Sequence, residues 1–192
     1  MSANEHPISV YIDNNVWDFL FLHQIDLSAA LPRPDFCICI TREAEFEIPP
    51  IRENKPWLEE FIRASISKCL VEVDSYFGFY DERFPLEQQR VSGFNSGRFA
   101  DIEELEFMQQ QRTPLKERHS RMRPKTGLFQ DEADISLAAR AKHSVVLSLD
   151  QKKGPINDAY LQGGNVVFLA EFDPARASLA EYIRAALDRR AG

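Results

Sequence analysis

The sequence predicts an α/β fold, a three-layer α/β/α sandwich around a mainly parallel central sheet. Short apolar runs alternate along the chain with longer segments of helical periodicity, which is typical of strand–helix–strand units. The apolar runs are continuous, as expected of strands that are covered by helices on both faces. The 192 residues suit a single domain, and the 44% of hydrophobic residues supply a sizeable core.

The first 80 residues contain two clear strands and three helices. The run ISVYI is β-branched and aromatic and predicts the first strand, after which NNVWDFLFLHQ continues with helical spacing. FCICI at 36–40 is the second strand, and TREAEFEI turns directly into a helix that two prolines end. An amphipathic helix is predicted over 55–70, and the segment VEVDSYFGFY after it is a candidate edge strand.

The alternation of strands and helices is interrupted at about 78–126. This stretch is polar, contains glycine and proline, and has one helical piece near DIEELEFMQQQ, so we predict an insertion within one domain of 1–192. The alternation then resumes, with helices predicted over 131–142, 156–162 and 174–190 and strands over 144–149 and 165–169.

Composition restricts the classes of function. The net charge is −7, so an anionic ligand needs a local basic patch or a metal ion. Three cysteines and no signal peptide predict reduced thiols and a cytoplasmic location, and Cys37 and Cys39 are expected to pack in the core. No apolar run reaches the roughly 20 residues of a membrane helix, so no membrane partner is expected.

Acidic residues are expected to meet at one edge of the sheet. Asp13 closes the first strand and Asp150 closes SVVLSLD, and the carboxyl ends of parallel strands form the ligand-binding edge. Glu45 lies in the helix after FCICI, and Asp134 lies early in an alanine-rich helix. Four carboxylates on one rim repel one another, and Mg²⁺ or Mn²⁺, which prefer oxygen ligands, would neutralise them.

Four short segments share an order and a spacing that go beyond an acidic rim. They are VYIDNNVWDFL, CICITREAEFE, DISLAARA and VVLSLD, spread over 8–50 and 127–172. Together they resemble the PIN-domain family of metal-dependent ribonucleases. Asn14 stands where that family often has Thr, whereas Asn15 keeps the family's Asn. Leu149 stands where the last motif of the family has Asn.

The resemblance implies a function and a set of site residues. It implies a Mg²⁺- or Mn²⁺-dependent ribonuclease that hydrolyses single-stranded RNA, with Asn15 and Ser148 orienting the site by hydrogen bonding. Members often act as toxins, which implies an antitoxin protein as a partner, and a homodimer remains open. The residues implied as catalytic groups and metal ligands are Asp13, Glu45, Asp134 and Asp150.

A basic run precedes the Asp134 helix. Residues 112–125 hold six arginines and lysines against one acid, so we expect this segment to contact an RNA backbone. The alternative is a solvated loop. The residues predicted to bind RNA are Arg118, Arg121, Arg123 and Lys125.

Each acid also has a purely structural explanation. Asp13 suits an Asx turn or a helix N-cap, Asp150 a turn, and Asp134 the positive end of a helix dipole. Glu45 is one of three glutamates on its helix, with Glu43 and Glu47. Two other functions therefore stay open: a PIN-like module that binds RNA or protein without catalysis, and a metal-dependent phosphatase of another doubly wound fold.

Overall fold

The structure, a computed structural model, describes residues 6–112 and 122–191. In these residues five parallel strands form the main sheet, and two short parallel strands form a separate sheet. The strands of the main sheet are β1 (Ile8–Ile12), β2 (Phe36–Thr41), β3 (Glu72–Asp74), β6 (Val145–Ser148) and β7 (Val166–Phe168), and those of the small sheet are β4 (Tyr76–Phe77) and β5 (Val91–Ser92).

Helices follow most of these strands. The described helices are α1 (Asn14–Leu22), α2 (Leu27–Ala30), α3 (Arg42–Glu47), α4 (Pro56–Cys69), α5 (Ile102–Arg112), α6 (Glu132–Arg140), α7 (Pro155–Leu161) and α8 (Leu179–Ala191). None of them is long and apolar enough to cross a membrane.

Helices cover both faces of the main sheet, which confirms the predicted three-layer α/β/α fold. The strands β1, β2, β6 and β7 are largely buried, whereas the edge strand β3 is mostly exposed. Alternate residues of a strand point to opposite faces of a sheet. Val10 and Ile12 of β1 therefore pack in one core with α1, α4 and α8, whereas Tyr11 packs in a second core with α5, α6 and α7. This double burial explains the continuously apolar strand sequences.

The order of the strands places a crevice beside β1. The main sheet runs β3-β2-β1-β6-β7, so the chain moves outward from β1 on one side and returns to pair β6 on the other. Connections leave these two adjacent strands in opposite directions, and in open α/β sheets ligands bind at such a point, beyond the carboxyl ends. Asp13 directly follows β1, and Ser148 ends β6.

The last helix is shorter than predicted. It begins at Leu179, so the prediction of a helix from residue 174 is wrong. The backbone N–H of Glu181 donates to Ser178 Oγ at 3.2 Å, and the N–H of Ser178 donates to Glu181 Oε2 at 3.0 Å. This reciprocal capping box fixes the start of the helix.

Candidate active site

The carboxylate of Asp13 is held between β1 and β6. Its side chain makes no capping hydrogen bond to α1 and is 8% exposed. Instead, Asp13 Oδ2 accepts hydrogen bonds from Ser148 Oγ and from Asn15 Nδ2, each at 2.6 Å. A buried carboxylate needs such donors, and these two fix its orientation at the edge of the sheet.

Asn15 and Ser148 are themselves held by the backbone. The N–H of Leu149 donates to Asn15 Oδ1 at 2.9 Å, and the N–H of Asp150 donates to Ser148 Oγ at 3.0 Å. Both side chains predicted to orient the site therefore contact Asp13. The contacts also join the loop after β6 to the first turn of α1.

Asp134 shares its surroundings with two other acids. It lies in the first turn of α6, where burial, followed by the negative charges of Asp13 and Glu47, raises its pKa to about 7. Burial also raises the pKa of Asp13, to which Glu47 adds repulsion. We call Asp13, Glu47 and Asp134 the acidic cluster.

Glu47 links the acidic cluster to neighbouring residues through two polar contacts. Its Oε2 accepts a hydrogen bond from Asn14 Nδ2 at 2.9 Å, and its Oε1 pairs with Arg123 Nη1 at 3.1 Å. Asn14 Nδ2 also donates to the carbonyl of Ala44 at 3.0 Å. Asn14 Oδ1 is buried without a hydrogen-bond partner among the described residues, so an unsatisfied oxygen lies on the side chain that contacts Glu47.

Glu45, predicted from its Ala-Glu-Phe context, lies elsewhere. Its carboxylate pairs with Arg42. Glu43 is buried, accepts a hydrogen bond from Ser136 Oγ at 2.7 Å, and has a pKa raised by burial. Residues four apart share one face of a helix, so Glu43 and Glu47 point together toward α6. The sequence alone does not favour Glu47 over Glu45, because it does not show which face of α3 is turned toward α6.

Asp150 lies at the rim rather than within the cluster. Its side chain is exposed, and Asp150 Oδ1 accepts a hydrogen bond from the N–H of Lys152 at 2.9 Å. Among the described residues no hydrogen bond or ion pair joins this carboxylate to Asp13, Glu47 or Asp134. This conformation is that of a turn closed by the side chain of Asp150, which is the structural alternative considered for this residue.

The basic run is described at its first residue, Arg112, and from residue 122 to its end. Arg118 and Arg121 lie outside the described residues. Arg123 pairs with Glu47 as given above, and Lys125 pairs with Glu53. Arg123 therefore brings one positive charge from this run to the acidic cluster, where it lowers the pKa of Asp134.

The cluster suits a hard cation that keeps much of its water. Its donors are all carboxylate oxygens, and their mutual repulsion would be relieved by a positive charge. In the part of the chain that is described, the only potential metal ligands whose donor atoms all lie within 4.8 Å of one another are Cys37, Cys39 and Glu72. Mg²⁺ typically uses one or two protein carboxylates and several waters, so a wider acidic cluster fits it.

The cysteine group is poorly suited to a metal ion. Burial raises the pKa of both thiols, which keeps them protonated, whereas metal binding needs the thiolate. Glu72 is already paired with Arg33 at 3.2 Å. The two cysteines therefore pack as apolar residues, as the sequence predicts.

The metal-free protein should lose stability as pH rises from about 5 to about 7. Native Asp134 holds its proton up to about pH 7, whereas the unfolded chain loses it near 3.8, so the native state binds more protons in this window. Glu43 and Asp13, whose pKa values are also raised, act in the same direction. The free energy of unfolding should fall by about 1–2 kcal/mol, or a few degrees in Tm.

Differential scanning fluorimetry in EDTA at several pH values measures this effect. Asp134→Asn should flatten the dependence and raise Tm at pH 8, whereas Asp188→Asn on the exposed side of α8 should follow wild type. A wild-type Tm that rises steadily between pH 5 and 7 would contradict the buried position of Asp134.

Comparison with known proteins finds little that is similar. No protein-family model matches the chain, and no curated protein matches it. Among solved structures it is similar to the crystal structure of VapBC2 from Rickettsia felis bound to a DNA fragment from their promoter, at 11% sequence identity and a TM-score of 0.38. The alignment covers 76% of this chain and 90% of that chain.

Proposed function

We propose that the protein is a Mg²⁺- or Mn²⁺-dependent ribonuclease that hydrolyses phosphodiester bonds of single-stranded RNA. The observation that carries the proposal is the position of Asp13. It is buried beyond β1, is oriented by Asn15 and Ser148, and lies where Asp134 and Glu47 add negative charge. The motifs that resemble the PIN-domain family contribute four of these residues, all but Glu47.

Asp13, Glu47 and Asp134 are the residues that would hold the cation, with Asp150 at the rim. When bound, such a cation supplies charge stabilisation at the scissile phosphate and lowers the pKa of water. Asn15 and Ser148 keep the carboxylate of Asp13 in one orientation. The carboxylate therefore does not need to reorient during the reaction.

Glu45 has a different part in this proposal. Its ion pair with Arg42 holds the first turn of α3, and Glu47 takes the position beside Asp13 and Asp134. We therefore propose Glu47 as the acid that follows β2 in the site. The roles that the resemblance gives to Glu45 stay predictions.

Cleavage of a labelled single-stranded RNA tests the proposal. Wild type should cut the RNA in Mn²⁺ or Mg²⁺ and spare it in EDTA, and addition of excess Mn²⁺ should restore cutting. A small chromogenic phosphoester should not be hydrolysed at a comparable rate, which separates a nuclease from a phosphatase. Cutting that persists in EDTA would exclude the proposed chemistry.

A second candidate is an RNA-binding or protein-interaction module with little catalysis. The spacing of the acids favours it, because the donor atoms of the acidic cluster do not all lie within 4.8 Å of one another in the described structure. Under this alternative, the affinity for RNA is the same with and without metal, and the bound RNA is not cleaved. Metal-dependent turnover decides between the two.

The resemblance extends the proposal to biological context. A toxin of this kind acts in the cytoplasm and is neutralised by an antitoxin protein. The three described cysteines are free thiols, in agreement with a reducing compartment. Growth arrest on expression, relieved by a small protein encoded beside this one, is the corresponding observation.

A further inference from the structure

Four phenylalanines form an exposed surface on the segment between β3 and α5. Phe79, Phe94 and Phe99 are 86%, 78% and 75% exposed. Each contacts the half-buried ring of Phe77, with ring centroids 6.1, 4.8 and 4.9 Å away. We call these four residues the phenylalanine platform. Aromatic rings so fully exposed and grouped together mark an interaction surface more often than chance exposure.

The backbone beneath the platform is firmly held. A side chain at Gly97 would meet the backbone of Phe77 at 2.6 Å, so only glycine allows this close approach. Arg98, the next residue, pairs with Asp74 at 3.2 Å and with the buried carboxylate of Glu104. The rings are therefore exposed on an ordered support, which is what a preformed binding surface requires.

A groove connects the platform to the helix that carries Asp134. It is a cavity of about 340 Å³, and Phe79 belongs to both its wall and the platform. Glu132 and Ile135, which flank Asp134 in α6, line its far end. Asp81, Arg83, Phe84, Arg90 and Arg112 also line the groove.

The groove is locally positive on a chain whose net charge is −7. Three arginines line it against two acids, Asp81 and Glu132. Arg90 is occupied, since it pairs with Glu132 at 3.0 Å and stacks over Phe84 with its guanidinium carbon 3.9 Å from the ring centroid. Arg83 pairs with Asp81, but its side chain is 80% exposed, and Arg112 is exposed at the end of α5.

We propose that the platform and this groove bind unpaired bases of single-stranded RNA and lead the strand to the acidic cluster. Bases that are not paired stack on aromatic rings, and phosphates between them are met by arginines. A protein partner would use the rings but would not need the adjoining arginines or the continuity with α6. The inference rests on the proposed ribonuclease function, for which it supplies the path of the substrate.

Binding of a fluorescein-labelled twelve-residue oligouridylate, measured by anisotropy in EDTA, tests the platform apart from catalysis. Phe79→Ala with Phe94→Ala should weaken binding by about fivefold or more for each ring, because stacking is worth at least that much per base. The dependence on salt should stay unchanged, since no phosphate contact is lost. Leu161→Ala, a 72% exposed apolar residue on α7, is the matched control and should bind like wild type.

A second variant separates stacking from charge. Arg112→Gln should flatten the log–log salt slope by about 0.7, as expected for one phosphate contact on a single strand. Duplex RNA of the same length should bind the ring variant and wild type equally, because its bases are stacked inside the helix. This pattern differs from a general loss of structure, which would weaken every ligand.

Three results would overturn the inference. These are no binding of the oligouridylate by wild type at micromolar protein, equal binding by the ring variant, or a wild-type dimer in sedimentation that the ring variant turns into a monomer. If the ring variant cuts RNA with unchanged KM, the platform proposal fails and the nuclease proposal stands. If ring-dependent binding occurs without metal-dependent cutting, the nuclease proposal fails and the platform stands.

Discussion

Replacing Asp134 by Asn should reduce the rate of metal-dependent RNA cleavage by at least about 10³-fold. A loss of this size corresponds to about 4 kcal/mol in the activation free energy, within the range that metal ions contribute to charge stabilisation. Asn keeps the shape of the side chain but removes the charge that would bind the cation. The fold should survive, because burial and neighbouring acids make the ionised form of Asp134 unfavourable in the metal-free protein.

Single-turnover cleavage in Mn²⁺, together with Tm in EDTA, measures both parts of this expectation. Two glutamates of α3 provide a matched comparison. Glu47→Gln should lower the rate strongly and Glu45→Gln only weakly, since Glu47 acts on Asp13 and Asp134 whereas Glu45 pairs with Arg42. A stronger loss from Glu45→Gln would show that α3 turns in the catalytic state and would restore the assignment made from the sequence motif.

Replacing Arg140 by Met should destabilise the protein by about 3–5 kcal/mol, the usual effect of removing one partner from a buried ion pair. Arg140 is 1% exposed. Its Nε pairs with Asp74 at 2.9 Å, and its Nη1 donates to the carbonyl and the hydroxyl of Ser136, each at 2.8 Å. Its charge also stabilises the ionised form of buried Glu43. Met fills a similar volume but removes the positive charge beside Glu43 and one of the two arginines that pair with Asp74.

Chemical denaturation followed by circular dichroism measures the loss. Arg33→Met removes an ion pair in which both side chains are exposed, 48% and 61%, and should change stability by about 0–1 kcal/mol. An Arg140 variant as stable as wild type would contradict the stabilising role of the buried contacts that Arg140 makes. Because Ser136 lies two residues after Asp134, the same contacts also position the acidic cluster.

The sequence was sufficient for the sheet and for part of the site. Strands buried on both faces are continuously apolar, and the carboxyl ends of parallel strands coincide, so the position of Asp13 at the edge of the sheet followed from the pattern. Ser148 was expected only from the resemblance to the PIN-domain family. Asp134 followed from its place early in a helix of small residues. These are consequences of periodicity and topology, which a sequence displays directly.

Other features depend on the directions in which side chains point, which a sequence motif does not encode. Glu45 and Glu47 are two residues apart and therefore lie on different sides of α3, so the choice between them needed the helix face. The carboxylate of Asp150 turns back to Lys152 because the chain bends after β6. The phenylalanine platform lies in a polar segment without periodicity. The sequence of such a segment does not show that its aromatic rings lie close together in the fold.

The hydrogen bond between Asp13 and Ser148 also determines at what stage of synthesis the site can form. The two residues are 135 positions apart, and the pairing of β1 with β6 brings them together. A ribosome makes the chain from its N-terminus, so Ser148 is made 135 residues after Asp13. Contacts of such long range also form slowly. A nascent chain that still lacks β6 has no oriented Asp13, so the proposed activity is withheld until β6 has been made and has paired with β1.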